Sequence, residues 1–238
     1  AGPIFRRVIA PLRTAPFPRR RPARPGHSLP RAADGAMDDF LHLFFNLEIM
    51  ARYFPSIMDG FWLTVGMAVA IVVLGLPLGL LLAFVRAFQV RPVTPLIVFF
   101  VDLFRAVPPL VIIYLFYFAL PYAGITLGSV SATVLTLTLV LAAFSEEVYW
   151  AAITSLPRGQ WEAARSTGLT FGQTLVYVII KQGIRRAIPM LTNRTIAVTK
   201  GTALGSTVAV QEILNQALSA QSIAANPSPL TLGALLYL

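Results

Sequence analysis

Cysteine is absent from the 238-residue sequence, and charged residues are scarce. The lack of cysteine excludes a disulfide framework, a thiolate metal site and a cysteine nucleophile. Charged residues make up 12% of the chain and hydrophobic residues 56%, whereas soluble globular domains contain about 25% and about 45–50% respectively. This composition predicts an integral membrane protein, solvated largely by lipid.

The features of metal and nucleotide sites are also missing. The only histidines, His27 and His42, have no cluster of other ligand-type residues near them in the sequence, so no metal site is expected. The segment 200–207, KGTALGST, superficially resembles a phosphate loop. It lacks the Gly-Lys-Thr ending and a preceding strand, which a phosphate loop requires. We therefore expect no cofactor and no nucleotide site in this chain.

Most of the net charge of +9 lies at the N-terminus. Residues 1–36 contain eight arginines, one aspartate and seven prolines, which predicts a disordered leader. The interpretation we favour is that translation begins at Met37; an unstructured tail and a functional basic arm are the alternatives. Since little excess positive charge remains in the body, nucleic acid is not an expected partner. Residues 37–56 are read as a lead-in and 57–238 as a transmembrane domain.

Five membrane spans are predicted, because a span needs about 20 mainly apolar residues. The fifth has only nine residues after Pro229, LTLGALLYL, and is expected to be incomplete. Basic residues occur in the loop after the first span and in 157–188, whereas 121–130 and 215–229 have no charge. The positive-inside rule then places the two basic loops in the cytoplasm and the N-terminus outside. The predicted spans are 61–85, 95–120, 129–152, 189–214 and 229 onward.

Several charges fall inside these spans. Asp102 and Arg105 are three residues apart on one helical face, and we predict a structural ion pair, with a gate as the alternative. Glu146 and Glu147 are adjacent, so they point about 100° apart on a helix and do not form a carboxylate pair.

The loop 157–188 carries a polar, helix-prone stretch, GQWEAARSTGLTFGQ. Pro157 suits the first turn of a helix, and Gly168 suits its left-handed end. Thr170 and Gln173 predict a capping box that starts a second helix, ending near Ile180. The small residues Ala163 and Ala164 predict a low face that another surface approaches closely.

This stretch resembles the signature of the permease subunits of ABC importers: Glu-Ala-Ala, three residues, Gly, nine residues, Ile-x-Leu-Pro. Glu162, Ala163, Ala164 and Gly168 match it, Val178 and Ile180 stand for the Ile and Leu, and Lys181 replaces the Pro. Three further blocks, at 104–121, 145–169 and 191–214, resemble the polar amino acid subgroup in the right order. The resemblance covers about 57–238.

The resemblance implies an all-α, five-helix transmembrane core with a cytoplasmic coupling helix at Glu162, Ala163, Ala164 and Gly168. It also implies a second permease subunit, P-loop ATPase subunits that hold ATP and Mg, and an external solute-binding protein, all at the bacterial inner membrane. The expected cargo is a polar amino acid. An osmolyte or another small polar solute, an ion-gradient-driven transporter and a channel are the alternatives.

Lys200 and Glu212 are candidates for the substrate path. Ionisable groups at membrane depth usually face a bundle interior or a water-filled path. On the importer hypothesis, Lys200 would meet the carboxylate of an amino acid and Glu212 its amino group. The alternative places Lys200 in a structural ion pair and Glu212 in the outer interface.

Overall fold

The computed structural model describes residues 31–238, with side chains from Met37 onward. Every regular element in that part of the chain is helical, which confirms the predicted all-α class. The first helix, α1, is Arg31–Phe44, so the last six residues of the predicted leader are helical. The rest of the predicted leader, residues 1–30, lies outside the described residues.

The second helix, α2 (Leu47–Ala87), has 41 residues and includes the second half of the predicted lead-in and the whole first span. Asn46 caps its N-terminus, where the side-chain oxygen accepts a hydrogen bond from the Ile49 amide at 3.1 Å. At 1.5 Å per residue α2 is about 60 Å long, roughly twice the hydrocarbon thickness of a bilayer. It runs through Pro55 and Pro77 without ending, because helices in membrane bundles tolerate proline.

The second predicted span is broken in its middle. Helix α3 (Val93–Ala106) ends and the chain bends by 102° before α4 (Pro109–Tyr114) begins. The helix then continues through a π-helical turn and a 3₁₀ turn to Ala123. Val107 is extended, with φ −87° and ψ 128°, because a proline disfavours the helical conformation of the residue before it. The Pro108-Pro109 pair therefore divides this segment at membrane depth.

Helix α5 (Ser129–Thr154) lies at the centre of the fold and agrees with the predicted third span within two residues. α2, α3 and the helix of the fourth span all pack against it. Its buried positions include Leu137, Val140 and Leu141, which pack with Ile71 of α2 in one apolar core. Such a helix, apolar on nearly all sides, is expected at the centre of a membrane bundle.

The helix of the fourth span starts earlier than predicted. After the short α6 (Arg158–Ser166), α7 (Phe171–Thr174) passes through one wider turn into α8 (Ile180–Lys200) without an interruption. The predicted stop near Ile180 is wrong because Lys181, unlike a proline, keeps the amide that continues the helical hydrogen bonding. The predicted bounds 189–214 are also wrong: α8 ends at Lys200, and Gly201–Val208 form a 3₁₀ helix.

Two helices complete the described chain, α9 (Ile213–Ala224) and α10 (Ser228–Leu236), and both pack against α2. The Ser228 hydroxyl accepts a hydrogen bond from the Asn46 amide at 3.0 Å and donates one to the Leu43 carbonyl at 2.9 Å. By length and apolar composition, the helical stretch Met37–Ala87 and α5 can each cross a membrane, and α3 with 109–123 forms one bent candidate span. These apolar helices confirm the prediction of an integral membrane protein.

Candidate coupling element and membrane-depth charges

The predicted coupling element is the nine-residue helix α6 with a sharp turn on each side. Pro157 precedes it with extended backbone, and Gly168 follows with φ +86°, in the left-handed region that favours glycine. The predicted capping box is present. The Thr170 hydroxyl accepts from the Gln173 amide at 3.4 Å, and the Gln173 side-chain oxygen accepts from the Thr170 amide at 2.9 Å. The sequence therefore predicted this helix-turn-helix correctly.

Aromatic rings attach α6 to the C-terminal end of α2. Trp161 stacks on Phe171, with ring centroids 5.3 Å apart and planes 20° apart. Phe171 meets Phe88 edge-on at 5.7 Å, and Phe88 meets Phe84 of α2 at 5.1 Å. Aromatic pairs at these distances are each worth about 0.5–1.5 kcal/mol beyond the area that they bury. These ring contacts therefore connect α6 to the end of α2.

One polar contact joins α6 directly to α8: the Gln182 amide nitrogen donates to the Gln160 side-chain oxygen at 3.0 Å. The Arg186 guanidinium of α8 donates to the carbonyl of Ser155, which caps the end of α5, at 3.3 Å. With the aromatic contacts, the Gln182–Gln160 bond joins α6 to both α2 and α8.

The two alanines of the signature do not share one outer face, contrary to the low face predicted for them. Ala163 is exposed, whereas Ala164 is 8% exposed and lies against the chain's own core. Consecutive helical residues point about 100° apart, so only one of the two can face a partner. Glu162 and Gly168 are exposed with Ala163, and these three form the outward part of the motif.

A buried ion pair, missed by the sequence reasoning, joins α2 to α5. One guanidinium nitrogen of Arg86 lies 3.1 Å and 3.3 Å from the two carboxylate oxygens of Glu146, whose side chain is fully buried. The guanidinium also lies 4.5 Å from the Trp150 ring centroid. The available signal was the burial expected for an acidic residue within an apolar span, which requires a basic partner.

The ion pair predicted between Asp102 and Arg105 is wrong. Arg105 instead pairs with Glu147 of α5, with its Nη2 2.7 Å from the carboxylate. Helical spacing allowed the predicted pair, but α5 packs beside α3 and brings a carboxylate to the arginine from another helix. Arg105 and Arg194 of α8 both lie over the Phe144 ring, with guanidinium carbons 5.7 Å and 4.8 Å from its centroid.

The structure places Lys200 and Glu212 in different surroundings. Lys200 is exposed and lines a cavity of about 270 Å³, together with Thr64, Thr199 and Tyr237. Glu212 is fully buried at the start of α9, where its carboxylate accepts the Leu214 and Asn215 amides, each at 2.8 Å, and the Tyr237 hydroxyl. The role of Glu212 in a path stays a prediction; this geometry favours a helix cap.

Comparison with known proteins agrees with this architecture. The chain is 34% identical over 172 residues to a probable glutamine ABC transporter permease protein of Bacillus subtilis (strain 168), which covers 72% of this chain and 80% of the relative. It is 32% identical over 188 residues to an arginine ABC transporter permease protein of Haemophilus influenzae, covering 75% and 77%.

A solved structure, that of an amino acid ABC transporter with histidines, matches the fold with a TM-score of 0.73 and 29% identity. The match covers 79% of this chain and 88% of that chain. Residues 75–238, which include α5, α6 and α8, match the family of binding-protein-dependent transport system inner membrane components. The chain belongs to that family.

Proposed function

We propose that the chain is the permease subunit of an ATP-binding-cassette importer that moves a polar amino acid across the bacterial inner membrane. The observation that carries the proposal is α6, a short helix closed by a left-handed Gly168 and fixed by aromatic rings to a membrane-depth helix. The family resemblance and the names of the relatives support amino acids as the class of cargo. In this proposal the chain itself catalyses no reaction.

The proposed partners follow from what α6 exposes. Glu162, Ala163 and Gly168 form a small surface that fits the groove of a cytoplasmic P-loop ATPase subunit. ATP and Mg would bind to that ATPase. A second permease subunit, identical or related, would complete the path, and an external solute-binding protein would deliver the cargo. The basic loops would face the cytoplasm and the N-terminus the outside.

Coupling in this proposal is the transfer of a displacement. When the ATPases close, they move α6, and the ring contacts from Trp161 through Phe171 to Phe88 transmit the movement to α2. α2 moves together with α5, because the Arg86–Glu146 pair and close backbone packing join them. ATP then shifts the permease between two states, because the ATP-bound ATPases bind one of the two states more tightly.

The experiment is co-purification followed by uptake. The permease is expressed together with the ATPase encoded nearest to it, and the complex is placed in liposomes with its binding protein. Uptake of labelled L-glutamine, L-arginine and L-cystine is measured with and without ATP. We expect a stable complex and ATP-dependent uptake of at least one amino acid. No association in several detergents would overturn the proposal and favour a gradient-driven transporter.

Gly168→Asp tests the coupling helix within that system. We expect it to weaken co-purification and to uncouple ATP hydrolysis from uptake, since it places a β-carbon and a charge in the proposed groove. Gly124→Asp is the matched control, because Gly124 has φ +83° and open space around it but lies in the loop between the second and third spans. Normal uptake by Gly168→Asp would remove α6 from the coupling role.

Lys200 keeps its proposed place in the substrate path. Lys200→Ala should lower uptake while the ATPase still co-purifies, because Lys200 lies far along α8 from α6. Lys181→Ala, at an exposed lysine in the first turn of α8, is the control. Uptake that is unchanged in Lys200→Ala would exclude Lys200 from the path.

A further inference from the structure

Three charged side chains from three helices meet around one aromatic ring. Arg105 comes from α3, Glu147 from α5 and Arg194 from α8, and both guanidinium groups lie over Phe144. Cation–π contacts at these distances orient an arginine without using its N–H donors. Both guanidinium groups are thereby held beside the same ring.

The cluster lies near the middle of the membrane. Phe144 lies ten residues before the cytoplasmic end of α5 at Thr154, roughly 15 Å at 1.5 Å per residue. On α8, the β-position of Gly183 contacts Ile153 near that same end, and Arg194 lies eleven residues further on. Since the hydrocarbon core is about 30 Å thick, both estimates place the cluster at about half of its depth.

The charges of this cluster are accessible. The side chains of Arg105 and Glu147 are 33% and 44% exposed, and Arg194 is exposed. Within residues 37–238, Arg194 has no ion-pair or hydrogen-bond partner, and only one Glu147 oxygen is paired. Charges at this depth require a water-filled path, a ligand or an opposite charge.

The helix break also lies at this position. α3 ends directly after Arg105, and the chain turns by 102° at the Pro108-Pro109 pair. Breaks of this kind at membrane depth are tolerated where the backbone lines a cavity or is covered by protein. The break and the accessible charges independently indicate that this side of α3, α5 and α8 does not face lipid.

We propose that Arg194 and Glu147 bind the zwitterionic end of the transported amino acid, Arg194 its carboxylate and Glu147 its ammonium group. Phe144 supports both cations, and Arg105 positions the Glu147 carboxylate through one of its oxygens. A guanidinium group is suited to the carboxylate because it offers paired donors in one plane. This inference rests on the proposed function and names the part of the cargo that the path recognises.

The other charged groups at membrane depth suit this role less well. Glu146 is fully buried and both its oxygens face Arg86. The Glu212 carboxylate is bound by two backbone amides and the Tyr237 hydroxyl. Glu212 therefore does not offer an accessible carboxylate to bind an ammonium group beside Lys200. Within the described residues, Arg194 and Glu147 offer an accessible cation and an accessible anion in one place.

The test is binding to the intact permease–ATPase complex in lipid nanodiscs, without the binding protein. The probe is the labelled amino acid that the wild-type complex takes up, displaced by its amide, which lacks the carboxylate, or by its N-acetyl derivative, which lacks the ammonium. A site built to bond a group discriminates strongly against analogues that lack the group. In the wild type we expect both competitors to be at least about tenfold weaker than the amino acid itself.

Each variant should lose one kind of discrimination. In Arg194→Gln the amide should compete as well as the amino acid, and the N-acetyl derivative should stay weak; Glu147→Gln should give the reverse. Arg185→Gln, an exposed arginine nearer the cytoplasmic end of α8, should behave as the wild type. A change in fold alone would not separate the two competitors in this way.

Three results would overturn the inference. The first is a wild-type complex that transports an amino acid but shows no saturable binding of it. The second is unchanged competition in both variants. The third is separation of the permease pair in Arg194→Gln with normal binding in the intact fraction, which would make Arg194 an intersubunit contact. If the wild type transports no amino acid, the proposed function has failed first, and the uptake assay records that separately.

Discussion

Two adjacent glutamates of α5 lie in opposite environments: one is buried between helices and the other is accessible. Glu146 points to α2, where its side chain is fully buried and both oxygens lie near the Arg86 guanidinium. Glu147 points to α3, where its side chain is 44% exposed and one oxygen meets Arg105. Both are Glu–Arg pairs, yet only the second has capacity left for a ligand.

The comparison shows that residue type does not decide what a charge does in a membrane bundle. A buried, saturated pair holds two helices in register, and its removal leaves an unpaired charge in a medium of low dielectric. An exposed pair at the same depth contributes little to stability. Four substitutions test this distinction, from the largest expected effect on stability to the smallest.

Glu146→Gln should have the largest effect, because it leaves Arg86, whose side chain is only 20% exposed, without a counter-charge. We expect a loss of about 3–5 kcal/mol in the free energy of unfolding, measured by SDS titration in mixed micelles with circular dichroism. The double variant Arg86→Gln/Glu146→Gln should lose less than Glu146→Gln alone, since no charge is then unpaired. A double variant less stable than the single one would show that the pair is not the cause.

Gly79→Val should come next, because it separates α2 from α5 beside the buried pair. A β-carbon at Gly79 would lie 2.2 Å from the Ser145 hydroxyl oxygen and 2.7 Å from the Ala142 carbonyl oxygen. Overpacking of this kind costs about 1–3 kcal/mol, which a lower thermal unfolding midpoint would report. Gly66→Val is the control, since a β-carbon there meets nothing within 4 Å. Equal unfolding midpoints for the two variants would contradict the close packing of α2 against α5 at Gly79.

Trp150→Leu should have a smaller effect on the same side of α5. It removes the ring that lies 4.5 Å from the Arg86 guanidinium, a contact worth about 0.5–2 kcal/mol. A double-mutant cycle with Arg86→Gln measures the coupling directly. Trp62→Leu, at a tryptophan that is 66% exposed, should show no coupling to Arg86. Additive losses for Trp150 and Arg86 would exclude the cation–π contact as a stabilising term.

Glu147→Gln should have the smallest effect on stability and the clearest effect on binding. Its pair with Arg105 is exposed, so we expect a loss of less than about 1 kcal/mol in the same SDS titration. Amino acid binding should nevertheless fall, as in the competition assay described above. A stability loss as large as that of Glu146→Gln would remove the distinction between the two glutamates.

The conformation of the proposed coupling element was predicted well from sequence because its signals are local. Proline before a helix, glycine in the left-handed conformation and a capping box each depend on a few consecutive residues. Gly168, Thr170 and Gln173 accordingly take the predicted conformations. The burial of Ala164 was not predictable in the same way, because it depends on which face of α6 packs against the rest of the chain.

The membrane spans were predicted unevenly, for a related reason. Hydropathy located α5 within two residues. It failed at the fourth span because the helix from Phe171 to Lys200 includes a polar part that hydropathy does not recognise as helical. The break after α3 was visible in the proline pair, but the bend of 102° and its position beside Arg105 and Glu147 were not.

The sequence by itself determined the class of protein, the local conformation around Gly168 and Thr170 and the positions of the charges along the chain, since composition, short motifs and spacing are properties of neighbouring residues. The tertiary structure decided the partners: Arg86 for Glu146, Glu147 for Arg105, and Tyr237 with two backbone amides for Glu212. The physical reason is that side chains on a helix point outward in all directions, about 100° apart from one residue to the next. Which of those directions meets a charge, a ring or open space depends on how the helices pack.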